Sequence, residues 1–257
     1  MNRADVVVVG GGVMGASVAH HLAERGVRDI LVLDRGPAPG AGSTGRATGG
    51  FRAQYGTAIN VRLSLLARRK LLAFRDEVGA DPGYRQAGYL WLSADAREQQ
   101  ILRQGLAVQH AEGLAEARDV TPDEALRLNP ALAPAGIHGG VFCPTDGFIR
   151  PLQILEGYLE AARRNGATVA WNSAVTGLTR DKAGRITAIA TDQDTISCGA
   201  VVNAAGAWAG QLGGPRTCRI HHCAAADRLP VGDDRRDLAG LVPRQSRHLG
   251  IPCRLTA

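Results

Sequence analysis

Residues 6–9 are four consecutive valines, an apolar run with no polar position interleaved. A β-branched run of this kind predicts a parallel strand buried on both faces. The period then lengthens: residues 13–25 predict a helix, which Gly26 ends, and the Ile-Leu-Val-Leu of residues 30–33 predicts a second buried strand. Residues 35–50, rich in Gly, Pro, Ser and Thr, predict a loop, and a loop of this length inside a compact domain is usually functional. Residues 58–78 predict a long helix with Leu63, Leu66, Leu71 and Phe74 toward the core. Residues 88–92 alternate as a strand, and 96–111 return to helical spacing. Thr121-Pro-Asp-Glu124 is a helix start, with a Thr N-cap, Pro at the first position and acids in the first turn; Asn129-Pro130 ends it. Residues 137–142 predict a strand, 151–165 an amphipathic helix closed by Gly166, and 168–171 another strand. Residues 174–180 and 185–191 predict a hairpin, with a further strand near 195–198. Residues 200–205 predict a separate buried strand ending in Gly206-Ala-Trp208.

The junction between the first strand and the first helix carries chemistry. Gly10, Gly12 and Gly15 stand at G-x-G-x-x-G spacing. The first glycine permits a tight turn, the second lets backbone approach a pyrophosphate, and the third lets helix pack on strand. Val13 and Met14 begin the helix, whose free N–H groups and positive dipole end face the phosphates. Asp34 falls about 20 residues past the glycines, at the end of the second strand, where an acid accepts hydrogen bonds from ribose hydroxyls. In a chain with 33 glycines the spacing alone is weak, and an ordinary glycine-rich turn is the competing reading. That reading leaves the acid unexplained. An Asp rather than a basic residue favours a free 2′-hydroxyl, hence FAD or NAD over NADP.

Composition bounds the rest. Hydrophobic residues fill 45% of 257 positions, enough to build a core, and the length suits one large or two small domains. The net charge is +6, but residues 210–257 hold eight Arg against four Asp and no other acid, leaving +2 for the first 209 residues. No basic platform with interleaved aromatics is present, so no nucleic-acid partner is expected. Arg outnumbers Lys 28 to 2, which reads as the codon bias of a GC-rich genome. Five Cys without a regular framework suggest a reduced, cytoplasmic protein. The start lacks the apolar segment of a signal peptide, and no apolar run approaches transmembrane length. His20, His21 and His110 fall on predicted helices as surface or packing residues, and His138 sits on a strand before two glycines. No metal site is expected.

Four ordered motifs suggest a family: the glycine turn, Gly42-Ser-Thr-Gly-Arg-Ala-Thr-Gly-Gly-Phe-Arg52, Pro144-Thr-Asp-Gly147 before a helix, and Val201-Val-Asn-Ala-Ala-Gly-Ala-Trp208. Together they resemble the FAD-dependent amine and amino-acid oxidoreductases of the D-amino-acid oxidase and glycine/sarcosine oxidase type, most closely sarcosine oxidase beta-subunit-like enzymes, over residues 1 to about 212. The resemblance implies an α/β fold. A Rossmann-like FAD-binding domain of residues 1–80 plus 148–212 is interrupted by an incomplete, partly antiparallel substrate domain over 81–147. It implies that Ser43, Thr44 and Gly45 offer donors to phosphate or ribitol, and that Arg46, Ala47 and Thr48 approach the isoalloxazine. Arg35 and Val175 would lie near the adenine, and Ala204, Ala205 and Gly206, leading to Trp208, would cross close to the cofactor. Arg52 and Tyr55 match substrate-facing positions. A guanidinium at 52 would hold a carboxylate through two parallel bonds; a surface ion pair is the alternative, and for Tyr55 plain packing is. A basic residue that some sarcosine oxidases carry near the flavin aligns with Gly49 here. The implied reaction moves hydride from the carbon beside a small amine or amino acid to the flavin, with oxygen or another acceptor reoxidising it.

Past Trp208 the text changes. Residues 209–257 contain no Phe, Tyr or Trp, and hold three of the five Cys. The stretch 213–257 is expected to be an atypical, poorly ordered tail from a frameshifted or degraded reading frame. Its Cys218, His221, His222 and Cys223 match no zinc spacing well. Two alternatives to an active oxidoreductase stay open: a truncated, inactive FAD-binding chain or one needing a partner subunit, and an NAD-dependent dehydrogenase.

Overall fold

The computed structural model describes residues 2–213. In chain order it contains β1 (Arg3–Val9), α1 (Val13–Glu24), β2 (Ile30–Leu33), β3 (Gly50–Phe51), α2 (Ala58–Val78), β4 (Tyr89–Ser93), α3 (Ala96–Ala111), β5 (Arg118–Val120), α4 (Pro122–Leu128), β6 (Gly139–Cys143), β7 (Gly147–Phe148), α5 (Pro151–Arg164), β8 (Thr168–Ala170), β9 (Val175–Arg180), β10 (Ile186–Thr191), β11 (Thr195–Asn203) and a short α6 (Ala209–Gly213). The main sheet has the order β8-β2-β1-β11-β10-β9. β1 lies between β2 and β11, parallel to both, and β8 continues the parallel part beyond β2. β10 and β9 add an antiparallel edge.

The run of valines is explained by this placement. Val7 and Val9 join Leu31, Leu33, Ile189 and Ile196 in one cluster, while Val8 joins Val32 with Ala19 and Ala23 of α1 in another. Both faces of β1 are thus dry, and each such side chain contributes about 1.5–3 kcal/mol by leaving water. α1 in turn packs its Ala16 against Leu155 and Leu159 of α5. A second sheet, β4-β6-β5, is wholly antiparallel, and β3 and β7 form a two-strand ribbon. Thr121 caps α4 through a reciprocal bond with Glu124, as its sequence predicts.

Three expectations are corrected. Residues 195–198 and 200–205 are not two strands. β11 runs unbroken over both, because residues 195–197 pair with β10 while 197–203 pair with β1. It is also only partly buried. On α2 the core stripe is Val61, Phe74 and Val78, with Leu65 and Leu71 partly buried, whereas Leu63 and Leu66 are 55% and 45% exposed. The helix carries two apolar stripes, and only the first meets Leu106, Leu114 and Val141 of neighbouring elements. The strand expected over 137–142 begins two residues later, at Gly139.

Candidate functional site

The glycine turn is built as the sequence requires. Gly10 has φ +109°, and a Cβ there would lie 2.3 Å from the Ala204 carbonyl oxygen. A Cβ on Gly15 would lie 1.8 Å from the Gly10 carbonyl oxygen, so α1 sits on β1 only because both are glycine. Gly12 is different. A Cβ there would meet only Thr44 Oγ1, at 3.5 Å, so the protein's own packing does not demand glycine. The residue borders open space, which is where the fingerprint places a pyrophosphate.

Asp34 has a second role. Its Oδ2 accepts the Gly11 N–H at 2.7 Å and its Oδ1 the Gly36 N–H at 2.6 Å, tying the glycine turn to the end of β2. Each carboxylate oxygen keeps acceptor capacity for a further donor such as a ribose hydroxyl. The N-terminus of α1 has no side-chain cap and no acid in its first turn. Its Val13 N–H donates to Thr44 Oγ1 at 3.2 Å, which pins the long loop against the helix end. No residue of the helix's own first turn brings a carboxylate to the positive end of its dipole; the nearby carboxylate is that of Asp34, on the Gly11 N–H.

A groove of about 580 Å³ follows the carboxyl ends of β1, β2 and β11, at the point where the strand order switches sides. Gly10, Gly12, Val13, Met14, Asp34, Arg35, Ser43, Thr44, Val175, Ala204, Ala205, Gly206 and Trp208 line it together. The Arg35 guanidinium stacks 3.8 Å from the Trp208 ring centroid. Gly15 does not line the groove because it is consumed in the helix–strand contact. Gly45, Arg46, Ala47 and Thr48 also fall outside it, exposed on the 3-10 turn Ser43–Arg46 and just after it. Trp171 and Ser173 line the groove without having been singled out. A signal for Trp171 existed in the middle residue of the triple glycine: a Cβ on Gly11 would lie 2.8 Å from its ring.

Arg52 and Tyr55 are not groove residues either. Arg52 follows β3 and lies against the antiparallel sheet, where its Nη1 donates to the Tyr89 hydroxyl at 3.1 Å. Its guanidinium lies 5.1 Å from the Tyr89 ring and 5.5 Å from that of Trp91. No carboxylate pairs with it among the described residues, so the surface ion pair is not found. Tyr55 is 37% exposed and outside the core clusters. The segment is held by Asp146, which is fully buried and accepts the Ala53 N–H at 2.9 Å and Gln54 Nε2 at 3.1 Å. Burial pushes the Asp146 carboxyl above its ordinary value, and these donors pull the other way without restoring it. Thr145 beside it donates to Glu116 at 2.7 Å, and Arg68 also bonds Glu116. The segment 144–147 is thus a knot beneath Arg52. Gly49 has φ +78°, and a Cβ would lie 2.3 Å from the Ile149 carbonyl oxygen, so a basic side chain is barred there by backbone.

Residues 5–250 match the family model described as FAD dependent oxidoreductase. The chain belongs to that family. The match runs past residue 212, where the resemblance was expected to stop, although residues 214–257, with Cys218, His221, His222 and Cys223, lie outside the described structure. Among its relatives, mouse mitochondrial sarcosine dehydrogenase is 31% identical over 82% of this chain and 23% of its own length. The mouse mitochondrial pyruvate dehydrogenase phosphatase regulatory subunit is 27% identical over 86% of this chain and 25% of its own. The crystal structure of glycine oxidase from Geobacillus kaustophilus superposes with a TM-score of 0.74 at 30% identity, covering 83% of this chain and 58% of that one. The chain therefore spans about a quarter of the length of the mouse proteins and just over half of the glycine oxidase. FAD is the cofactor of the family, and the open cradle at Gly12, the uncapped helix end and the residual acceptors of Asp34 fit a dinucleotide. No helix among the described residues is long and apolar enough to cross a membrane.

Proposed function

We propose that the chain holds FAD along this groove and serves the oxidation of a small amine or amino acid of the sarcosine, glycine or D-amino-acid class. The observation that carries this reading is that Gly12, at the start of α1, is a glycine the protein's own packing does not require, with Asp34 just past the end of the neighbouring β2. The N–H groups at the start of α1 and Ser43 would face the diphosphate, Asp34 the ribose, and Arg35, Val175 and Trp208 the adenosine end. FAD held by these residues would supply a two-electron acceptor for the hydride, to be reoxidised by oxygen or another acceptor. Arg52 would anchor the substrate carboxylate. Its guanidinium donates to the Tyr89 hydroxyl and lies near the Tyr89 and Trp91 rings, and among the described residues no carboxylate pairs with it. A planar fork of donors in that condition suits a bidentate carboxylate.

The sarcosine dehydrogenase and glycine oxidase relatives support the substrate class. The regulatory-subunit relative supports a second reading, a chain that binds FAD without turning over or that acts with a partner subunit. Absorbance of the purified chain, followed by anaerobic titration with sarcosine, glycine and D-amino acids, separates them. A flavin spectrum bleached by one of these supports catalysis, and bleaching lost in Arg52→Leu supports the anchor. A flavin spectrum that no amine bleaches favours the second reading. A chain that takes up no FAD, with its glycine turn intact, overturns both.

A further inference from the structure

A polar cluster on α1 lies apart from the groove. His20, His21 and Glu24 each offer one ligand atom, and these atoms all lie within 4.8 Å of one another. Glu24 Oε2 is 3.0 Å from His21 Nδ1 and 3.3 Å from His20 Nε2. His20 is only 2% exposed, yet neither of its ring nitrogens makes a hydrogen bond. His20 Nδ1 faces no partner and Nε2 only the Glu24 carboxylate, without hydrogen-bond geometry, so plain helix packing does not account for a polar ring at this position.

From this geometry we infer that His20, His21 and Glu24 form a binding site for a divalent transition cation of the zinc class. Two imidazoles and a carboxylate are the donor set such a cation prefers over Mg²⁺ or Ca²⁺. Ligands bonded at about 2.0–2.1 Å around a tetrahedral centre stand about 3.4 Å apart. The two contacts to Glu24 lie near that spacing, and the half-buried His21 needs a side-chain swing to bring its ligand atom equally close to that of His20. The position adds to the case, because the ligands end α1, where the helix dipole is negative. Tyr158 of α5 covers both rings, at 5.4 and 5.9 Å, and gives the site an apolar wall. Of the charged neighbours on the packed helices, Arg164 opposes a cation and Glu77 favours one. A bound ion would leave a fourth position open to solvent beside His21 and Glu24, and would staple the end of α1. Because the other nitrogen of His20 has no acceptor to fix its orientation, affinity should be about 10–100-fold below that of a fully supported site.

The test is Zn²⁺ titration of the full chain against a chromophoric chelator, with thermal midpoints measured in parallel. Cys218→Ser, Cys223→Ser and Cys253→Ser in every protein remove the thiols of residues 209–257 as competitors. His21→Gln and Glu24→Gln are at the surface and leave the core intact. The site predicts that each weakens one equivalent of Zn²⁺ by more than about tenfold and abolishes the rise in midpoint that Zn²⁺ gives the parent. Equal affinity in the parent and Glu24→Gln, or a loss in His21→Gln alone, overturns the three-ligand site. Because the readout is metal binding, failure here leaves the flavin assignment standing, and failure to take up FAD leaves this proposal standing.

Discussion

Single glycines in this chain differ in what they answer to, and the difference is measurable. Gly10 and Gly15 serve the protein's own backbone contacts, Gly11 serves the Trp171 ring, and Gly12 borders open groove. Gly15→Ala should therefore destabilise the fold by about 1–3 kcal/mol, the cost of forcing a methyl into a packed contact. Gly42→Ala, with ordinary φ and nothing within 4 Å, should stay within about 0.5 kcal/mol. Urea denaturation of the two variants decides this, and equal midpoints would sink it. The glycine spacing and Asp34 were legible in the sequence because the nucleotide turn imposes a fixed local geometry. The bond from Gly11 to Asp34 was not, since it joins residues 23 apart through a turn whose closure no periodicity encodes.

At the scale of elements, the candidate substrate side depends on a buried carboxyl. Asp146 fastens β7 to residues 53 and 54, and Gln54 reaches on to the Tyr89 carbonyl of β4 at 2.9 Å. Arg52 is held at the head of that chain of bonds. The Asp146 carboxyl is raised in the folded state, chiefly by burial, so the protonated form favours folding. Its stabilising effect is complete below the unfolded value near 3.8 and is lost as pH rises through the folded one. Asp146→Asn removes this dependence. The parent should lose stability relative to Asp146→Asn as pH climbs from about 3.8, and the difference should then level off. Denaturation series across acid to neutral pH test this, and parallel curves would refute it. The sequence marked residues 144–147 as a motif, but sequence alone did not say that its acid faces inward to hold backbone. β11 shows a related limit: Gly199 resembles a break until β1 is seen to pair with residues on both sides of it.

For the molecule as a whole, the sheet order and the groove follow from local signals that agree with one another, whereas α2 shows where such signals stop deciding. Its two apolar stripes are equally good helices, and only the neighbours select one. The rejected stripe, Ile59, Leu63 and Leu66, remains 45–55% exposed at i, i+4 and i+7, and Ile101 of α3 is 59% exposed. An exposed apolar stripe along two turns of one helix is a candidate contact surface. The chain should therefore bind a hydrophobic-surface dye or self-associate at micromolar concentration. Leu63→Gln with Leu66→Gln should abolish either behaviour, since Gln keeps nearly the same helix propensity and neither leucine belongs to the core. The same double variant should shift stability by no more than about 0.5 kcal/mol per site. Light scattering and dye fluorescence on the two proteins give the answer. A monodisperse parent that leaves the dye dark would show that this face is covered in solution. A double variant that unfolds would show instead that the stripe packs against something the exposed leucines do not reveal.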